Sequence, residues 1–255
     1  MPKTYEKENP DTIRSLFNHI AKRYDLANSL LSFHTHAIWN QKIAREIVQK
    51  ASPSNVLDLC SGTGDIAIRI LHYAAKNKYI IPDVHLVDFS SEMLKIAKLK
   101  AAHFAKEIQD KMIFQEADVT ALTYPDNSFD AATCAYGIRN VKNVPLFFQQ
   151  VYRTLKPQGH LAILELTRPK NVFLKAAHDL YIRTCIPIIG KLLTSDKEAY
   201  GYLQESIRAF ISPDNLAASA KDAGFTNIQV KSLSGGIATL FYMQKQAKIG
   251  KNRFD

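Results

Sequence analysis

The segment Val56-Leu57-Asp58-Leu59-Cys60-Ser61-Gly62-Thr63-Gly64-Asp65 carries the clearest chemistry in the chain. Its apolar run predicts a buried strand, its glycines a tight turn, and the residues from Asp65 onward a helix. Lacking a Cβ, Gly62 and Gly64 let the backbone turn sharply and a ligand approach it closely, while the next helix presents unpaired N–H groups in its first turn. A nucleotide-like cofactor fits such a place. The spacing departs from the dinucleotide fingerprint G-x-G-x-x-G, since Cys60 takes one small-residue position and Ala67 the last. Asp58 and Asp65 put negative charge around the turn, which suits a cationic cofactor better than a pyrophosphate. The sulfonium of S-adenosylmethionine, with its amino group near a carboxylate, answers that description. A purely structural turn is the alternative.

The surrounding elements must hold that turn in place. Ile13, Leu16, Phe17, Ile20 and Tyr24 recur at helical spacing, and Ile38, Trp39, Ile43, Ile47 and Val48 mark a second helix. From Asn55 the pattern alternates, with strands at 55–60, 84–89, 112–114, 129–135 and 161–166 and helices from Asp65, from Ser90 and after Val144. Pro157-Gln158-Gly159 reads as a turn before the fifth strand. Such alternation predicts an α/β fold with a parallel sheet covered on both faces. Further on, a helix from Pro213 closes at Ala223-Gly224-Phe225, and two strand-like runs flank Ser234-Gly235-Gly236. An antiparallel hairpin ending a parallel sheet is unlike the dinucleotide fold and like the Rossmann-like fold of class I S-adenosylmethionine-dependent methyltransferases. The expected organisation is one methyltransferase domain over 1–255. It comprises an N-terminal helical cap (1–51), a cofactor-binding core (52–169), a helical insertion covering the substrate (170–210), a final helix and hairpin (211–245) and a basic tail (246–255).

Bulk properties bound the partners. The formal charge of +9, from 33 basic and 24 acidic residues, favours an acidic partner such as nucleic acid or an anionic lipid surface. Cys60, Cys134 and Cys185 are far apart and lie in apolar segments, so neither a disulfide framework nor a metal cluster is expected, and a reducing cytoplasm fits. The first residues lack the apolar core of a signal peptide, and no segment approaches the roughly 20 apolar residues of a membrane span. A cytoplasmic protein, soluble or peripheral at the inner membrane surface, is expected.

Several segments go beyond a generic fold. Phe17-Asn18-His19-Ile20-Ala21-Lys22-Arg23-Tyr24-Asp25, the glycine turn, Asp126-Asn127-Ser128-Phe129-Asp130, Tyr136-Gly137-Ile138-Arg139-Asn140-Val141, Tyr152-Arg153-Thr154-Leu155-Lys156-Pro157, Tyr202-Leu203-Gln204-Glu205-Ser206-Ile207 and Asp222-Ala223-Gly224-Phe225 stand out. Over nearly its whole length the chain resembles the quinone-biosynthesis C-methyltransferases, which convert demethylmenaquinol to menaquinol or methylate the corresponding ubiquinone precursor. The resemblance implies S-adenosylmethionine as cofactor, with Thr63 touching it at the turn and Asp88 accepting from its ribose hydroxyls. An acceptor at the end of the second strand also faces the crevice where a ribose would lie. By the same resemblance Asp118 and Val119 recognise the adenine, the alternative for Asp118 being a cap of its own loop. Asp58, Gly62, Gly64 and Ala135 complete the cofactor set. The family usually has serine at Ala135 and often histidine at Phe241, so contacts at those two positions do not carry over.

Methylating a ring carbon requires an electron-rich ring, hence a reduced prenylated quinol. Demethylmenaquinol is the expected substrate, and the benzoquinol precursor of ubiquinone, or both, the alternative. Alignment of carbon and methyl supplies much of the acceleration, and no metal is needed. Arg139, after the fourth strand, is the leading catalytic candidate: its permanent charge suits it to a developing phenolate oxygen rather than to base chemistry. Tyr24, or a carboxylate such as Asp25, could order a water that takes the proton. Alternatively, Arg139 pairs with a carboxylate and Tyr24 caps a core helix. The apolar insertion could wall the isoprenoid tail and meet a membrane, or could simply pack. Lys245, Lys248, Lys251 and Arg253 could touch headgroups, or be a solvated terminus. A homodimer is left open. A nucleic-acid methyltransferase is the rival class, but the segment after the fourth strand lacks the Asn/Asp-Pro-Pro-aromatic signature and Cys134 lacks a Pro-Cys context. No nucleic-acid partner is expected. A silent cofactor-binding scaffold is the third class.

Overall fold

The computed structural model describes residues 10–193 and 197–247. In chain order the elements are α1 (Pro10–Ile20), α2 (Tyr24–Leu31), α3 (Thr35–Ala51), β1 (Asn55–Leu59), α4 (Asp65–Lys76), β2 (Asp83–Asp88), α5 (Ser91–Ala101), α6 (Lys106–Gln109) and β3 (Met112–Glu116). There follow β4 (Phe129–Ala135), α7 (Val144–Thr154), β5 (Leu155–Leu166), α8 (Val172–Leu193), α9 (Lys197–Ala209), α10 (Pro213–Asp222), β6 (Phe225–Leu233) and β7 (Ala238–Lys245). The strands form one seven-stranded sheet in the order β3-β2-β1-β4-β5-β7-β6. Strands β1 to β5 pair in parallel, and β7 runs antiparallel between β5 and β6. This is the expected α/β sheet with its antiparallel hairpin. The order reverses between β1 and β4, so the crevice at their carboxyl ends is the natural ligand site.

Successive strand residues point to opposite faces, and each face builds its own core. Val56 and Leu86 pack with Ile43, Ile47, Ile70 and Leu71 of α3 and α4. Leu57, Leu59 and Val87 pack on the other face with Phe147, Phe148, Leu216 and Phe225. Asp58 shares a face with Val56, which buries its carboxyl beneath α3 and α4. A charged residue there has to be held by hydrogen bonds or a ligand.

Two local expectations are corrected. Pro157-Gln158-Gly159 lies inside β5, not before it: Phe129 already pairs with Leu155, and the register shifts between Phe129 and Ala131, where Gln158 takes a φ of 64°. The turn residues serve a bulge, which uses the same backbone conformations. Tyr24 does not end the first helix but opens α2, because Ala21–Arg23 tighten into a 3₁₀ turn.

Gly137 follows β4 where the chain passes the cofactor turn. A Cβ there would sit 2.2 Å from the Cβ of Cys60 and 2.7 Å from its sulfur. Gly137→Ala should therefore lower stability by about 1–3 kcal/mol and weaken cofactor binding by displacing Cys60. Thermal unfolding and cofactor titration check this. Wild-type values for both would show that the turn yields freely.

Candidate active site

Three connected cavities open along the carboxyl edge of the sheet. A polar cavity of about 250 Å³ is walled by Asp58, Ser61, Gly62, Thr63, Asp65 and Lys100. A second, of about 130 Å³, lies between Asp88, Phe89, Asp118, Val119 and Ala135. The third, about 430 Å³ and mostly apolar, runs between α1, α2, α8 and α9, with Arg139 on its wall. Tyr24 and Tyr136 line all three cavities and mark their junction.

The glycine turn is built for a ligand. Gly62 has a φ of +54°, and a Cβ on it would meet nothing within 4 Å, so the backbone there faces open space. Its N–H donates to Asp88 at 2.8 Å, and the other Asp88 oxygen accepts from the Ser90 N–H at 2.9 Å, opening α5. Asp58 accepts from the Thr133 hydroxyl at 2.6 Å, but its second oxygen is buried without a partner, as is the Ser61 hydroxyl oxygen on the same cavity wall. Two orphaned oxygens in an acidic cavity suit the ammonium group of S-adenosylmethionine. Asp88 and Val119, both buried, line the neighbouring cavity. Asp118 is exposed and accepts from the Thr120 N–H and hydroxyl at 2.7 and 2.8 Å, so it does cap its own loop while lining that cavity. Ala135 supplies wall but no polar side-chain atom.

Burial pushes the Asp58 carboxyl up to about 7, against the Thr133 hydrogen bond, and the Asp88 carboxyl up to about 6, against its backbone donors. With folded values above the ordinary one, the native protein binds protons that the unfolded chain has released. Unliganded stability should thus fall as pH rises from about 4 to 7. A cationic cofactor favours the ionised carboxylates, so its affinity should rise over about pH 6 to 7 with release of protons. Calorimetric titration across that range, in buffers of different ionisation enthalpy, checks the sign. A flat affinity without proton release would contradict it.

The N-terminal helices close over this crevice. The Thr63 hydroxyl donates to Asp25 at 2.6 Å, and Lys100 reaches Asp25 at 3.0 Å and Thr63 at 3.2 Å. Asp25 accordingly lines the polar cavity beside Tyr24, tied to the glycine turn, and is not among the residues of the apolar cavity. Ser90 donates to Asn18 of α1 at 2.6 Å. Phe17 meets Tyr24, Phe89 and Tyr202 edge-on.

Arg139 lies in the 3₁₀ turn Ile138–Asn140 and is 4% exposed. Its guanidinium pairs with fully buried Glu165 at 2.7 Å and donates to the Tyr136 carbonyl, while its Nε has no partner. Burial works against the charge, but Glu165, with Tyr24 and Tyr202, outweighs it and holds the arginine pKa above its ordinary value. Tyr24, hydrogen-bonded to Asn28, is pushed up by burial although Arg139 pulls it down, and so stays a neutral phenol. Both Arg139 and Tyr24 therefore reach the apolar cavity. Glu165 was missed as a site residue; its one signal was a carboxylate inside the apolar run at 161–166. Tyr202 donates to Asn140 at 2.6 Å, so the Gly-Ile-Arg-Asn and Tyr-Leu-x-Glu-Ser-Ile segments meet in space.

The insertion is two-sided. Tyr181 and Ile182 of α8 face the apolar cavity, whereas Phe173 is 85% exposed and Phe33 on the rim 74%. Lys245 is held by Asn127 and the Leu155 carbonyl, and so points at the protein rather than at a headgroup. Lys248, Lys251 and Arg253 lie outside the described residues, as do the side chains of Ile186, Pro187 and Ile189.

The model of the ubiE/COQ5 methyltransferase family matches residues 3–245. The chain is 45% identical over 238 residues to a demethylmenaquinone methyltransferase of Protochlamydia amoebophila, covering 93% of this chain and 96% of that one. It is 39% identical to the ubiquinone/menaquinone biosynthesis C-methyltransferase UbiE of Rickettsia bellii, over 91% of this chain and 92% of that one. Among solved structures, a SAM-dependent methyltransferase from Thermotoga maritima superposes with a TM-score of 0.59 at 16% identity, covering 91% and 99% of the two chains. One from Aquifex aeolicus gives 0.55, also at 16%, covering 80% and 88%. These structural likenesses speak to the fold alone. With the matched family model spanning the cap, the glycine turn, the insertion and the hairpin, the chain belongs to the ubiE/COQ5 methyltransferase family.

Proposed function

We propose that this methyltransferase moves the methyl group of S-adenosylmethionine to a ring carbon of a reduced prenylated quinol, with demethylmenaquinol as substrate. The observation that carries this is a charged guanidinium on the wall of a large apolar cavity, which meets the polar cofactor cavity at Tyr24 and Tyr136. A polar substrate would not need those walls, and an apolar one without an acidic hydroxyl would not need that charge. Demethylmenaquinol is preferred over the benzoquinol because the P. amoebophila relative carries that name.

When bound, S-adenosylmethionine supplies a methyl group made electrophilic by its sulfonium. Asp58 and Ser61 hold its ammonium, Asp88 its ribose, and Val119 with Asp118 its adenine. Thr63 fixes the turn and ties it to Asp25 of the cap. Arg139 would stabilise negative charge on the quinol oxygen as the hydroxyl proton passes to a water ordered by Tyr24. The ring carbon would take the methyl as the carbon–sulfur bond breaks, leaving S-adenosylhomocysteine, and then lose its own proton to that water while the oxygen is re-protonated. Tyr24 positions the ring at the junction. The helices before β1 and the α8–α9 segment exclude water and cover the ring. The isoprenoid tail leaves past Phe33, and exposed apolar residues of the cap and of α8, Val172 and Phe173 among them, rest on the cytoplasmic surface of the membrane that holds the substrate.

The test is methyl transfer from labelled S-adenosylmethionine to short-tail demethylmenaquinol and to the demethylated benzoquinol, each reduced and oxidised. Transfer to the reduced naphthoquinol alone supports the proposal in full. Turnover of the oxidised forms, or of neither reduced form despite cofactor binding, refutes it.

A further inference from the structure

We propose that His178 contacts the substrate, its Nδ1 accepting a hydrogen bond from a ring hydroxyl of the quinol. This rests on the quinol reading and adds to it a residue that neither the sequence motifs nor the mechanism above employs. His178 lies on α8, is 9% exposed and lines the apolar cavity. Its Nδ1 is buried and has no hydrogen-bond partner. The other polar side chains on that wall are largely engaged. Tyr181 donates to the Leu31 carbonyl at 2.6 Å, Tyr202 to Asn140 at 2.6 Å, and Trp39 to Ser234 at 3.1 Å. Among the described residues, the buried unpartnered side-chain polar atoms on this wall are Arg139 Nε and His178 Nδ1.

Buried polar groups of native proteins are nearly always satisfied, so two orphans on one apolar wall point to a ligand that satisfies both. Arg139 Nε is a donor. Burial, aided by Arg168 and opposed by Asp179, lowers the His178 pKa, so the imidazole is neutral and can accept at Nδ1 with its proton on Nε2. A donor and an acceptor in an apolar chamber match a 1,4-quinol: one oxygen gains charge toward Arg139, and the other hydroxyl donates to His178. A quinone has no hydrogen to donate, so the contact also selects the reduced ring.

The experiment titrates the S-adenosylhomocysteine-bound protein with short-tail demethylmenaquinol and with its 1,4-dimethyl ether, which lacks the donors. Wild type, His178→Phe and His178→Asn are compared. The wild type should bind the quinol about tenfold more tightly than the ether. His178→Phe should erase that preference by weakening quinol binding alone, and His178→Asn, which retains an acceptor, should restore part of it. Comparing ratios removes the ether's extra bulk. A preference that survives in His178→Phe overturns the assignment. Should His178→Phe fail to fold, a wild type that binds the ether as tightly as the quinol, or a quinol preference that survives in His178→Leu, does the same. A wild type that does not methylate the quinol fails the quinol reading itself, which separates the two outcomes.

Discussion

Arg139→Lys lowers turnover of reduced demethylmenaquinol about 10²–10³-fold while leaving the affinity for S-adenosylmethionine unchanged. The magnitude is that of a lost oxyanion donor. Lysine keeps a positive charge beside Glu165, which matters because Glu165 is fully buried and bonded through Arg139 Nη1 at 2.7 Å. Arg139→Ala would strand that carboxylate and cost about 3–5 kcal/mol of stability, mixing a folding defect with a catalytic one. Lysine cannot reproduce the planar guanidinium that reaches Glu165 and the Tyr136 carbonyl together on the wall of the cavity. Full activity in Arg139→Lys would remove the arginine from charge stabilisation and leave it a structural partner of Glu165. Steady-state kinetics with cofactor titration and a melting curve separate the cases.

Asp88→Ala weakens S-adenosylmethionine binding by about 10–100-fold, the loss expected for hydrogen bonds to a charged group. Two things go at once. The ribose acceptor disappears, and the Gly62 N–H loses the carboxylate that holds it at 2.8 Å, so the glycine turn loosens. Asp88→Asn keeps an oxygen for Gly62 but not the charge and should lose less. Turnover at saturating cofactor should recover in both, because Asp88 does not line the apolar cavity. An unchanged affinity in Asp88→Ala would place the ribose elsewhere.

How much of this could be read from the chain depends on whether the determinant is local. The glycine turn was legible because strand, turn and helix are consecutive, and Asp58 and Asp88 follow from their places on adjacent strands. The hairpin was legible from Ser234-Gly235-Gly236 between two apolar runs. The bulge in β5 was not, since Pro157-Gln158-Gly159 is the same local chemistry whether it ends a strand or kinks one, and the pairing with Phe129 decides. Tyr24 was read as the end of a helix because a 3₁₀ turn barely disturbs apolar spacing. The tie between Asp25 and Thr63 was not legible, because the two residues lie in different parts of the chain. Glu165 and His178 escaped notice for a related reason: each is one polar residue in an apolar segment, and only tertiary contact shows that one pairs with Arg139 while the other faces a cavity unpartnered.

The most direct measurement is the structure of the product formed from methyl-deuterated S-adenosylmethionine and reduced short-tail demethylmenaquinol, determined by mass and NMR. The label is expected as a methyl group on the ring carbon beside the phenolic oxygen, with both hydroxyls free, and only when the ring is supplied reduced. A label found as a methyl ether on oxygen would contradict carbon attack assisted by Arg139, and the apolar cavity would then belong to an O-methyltransferase.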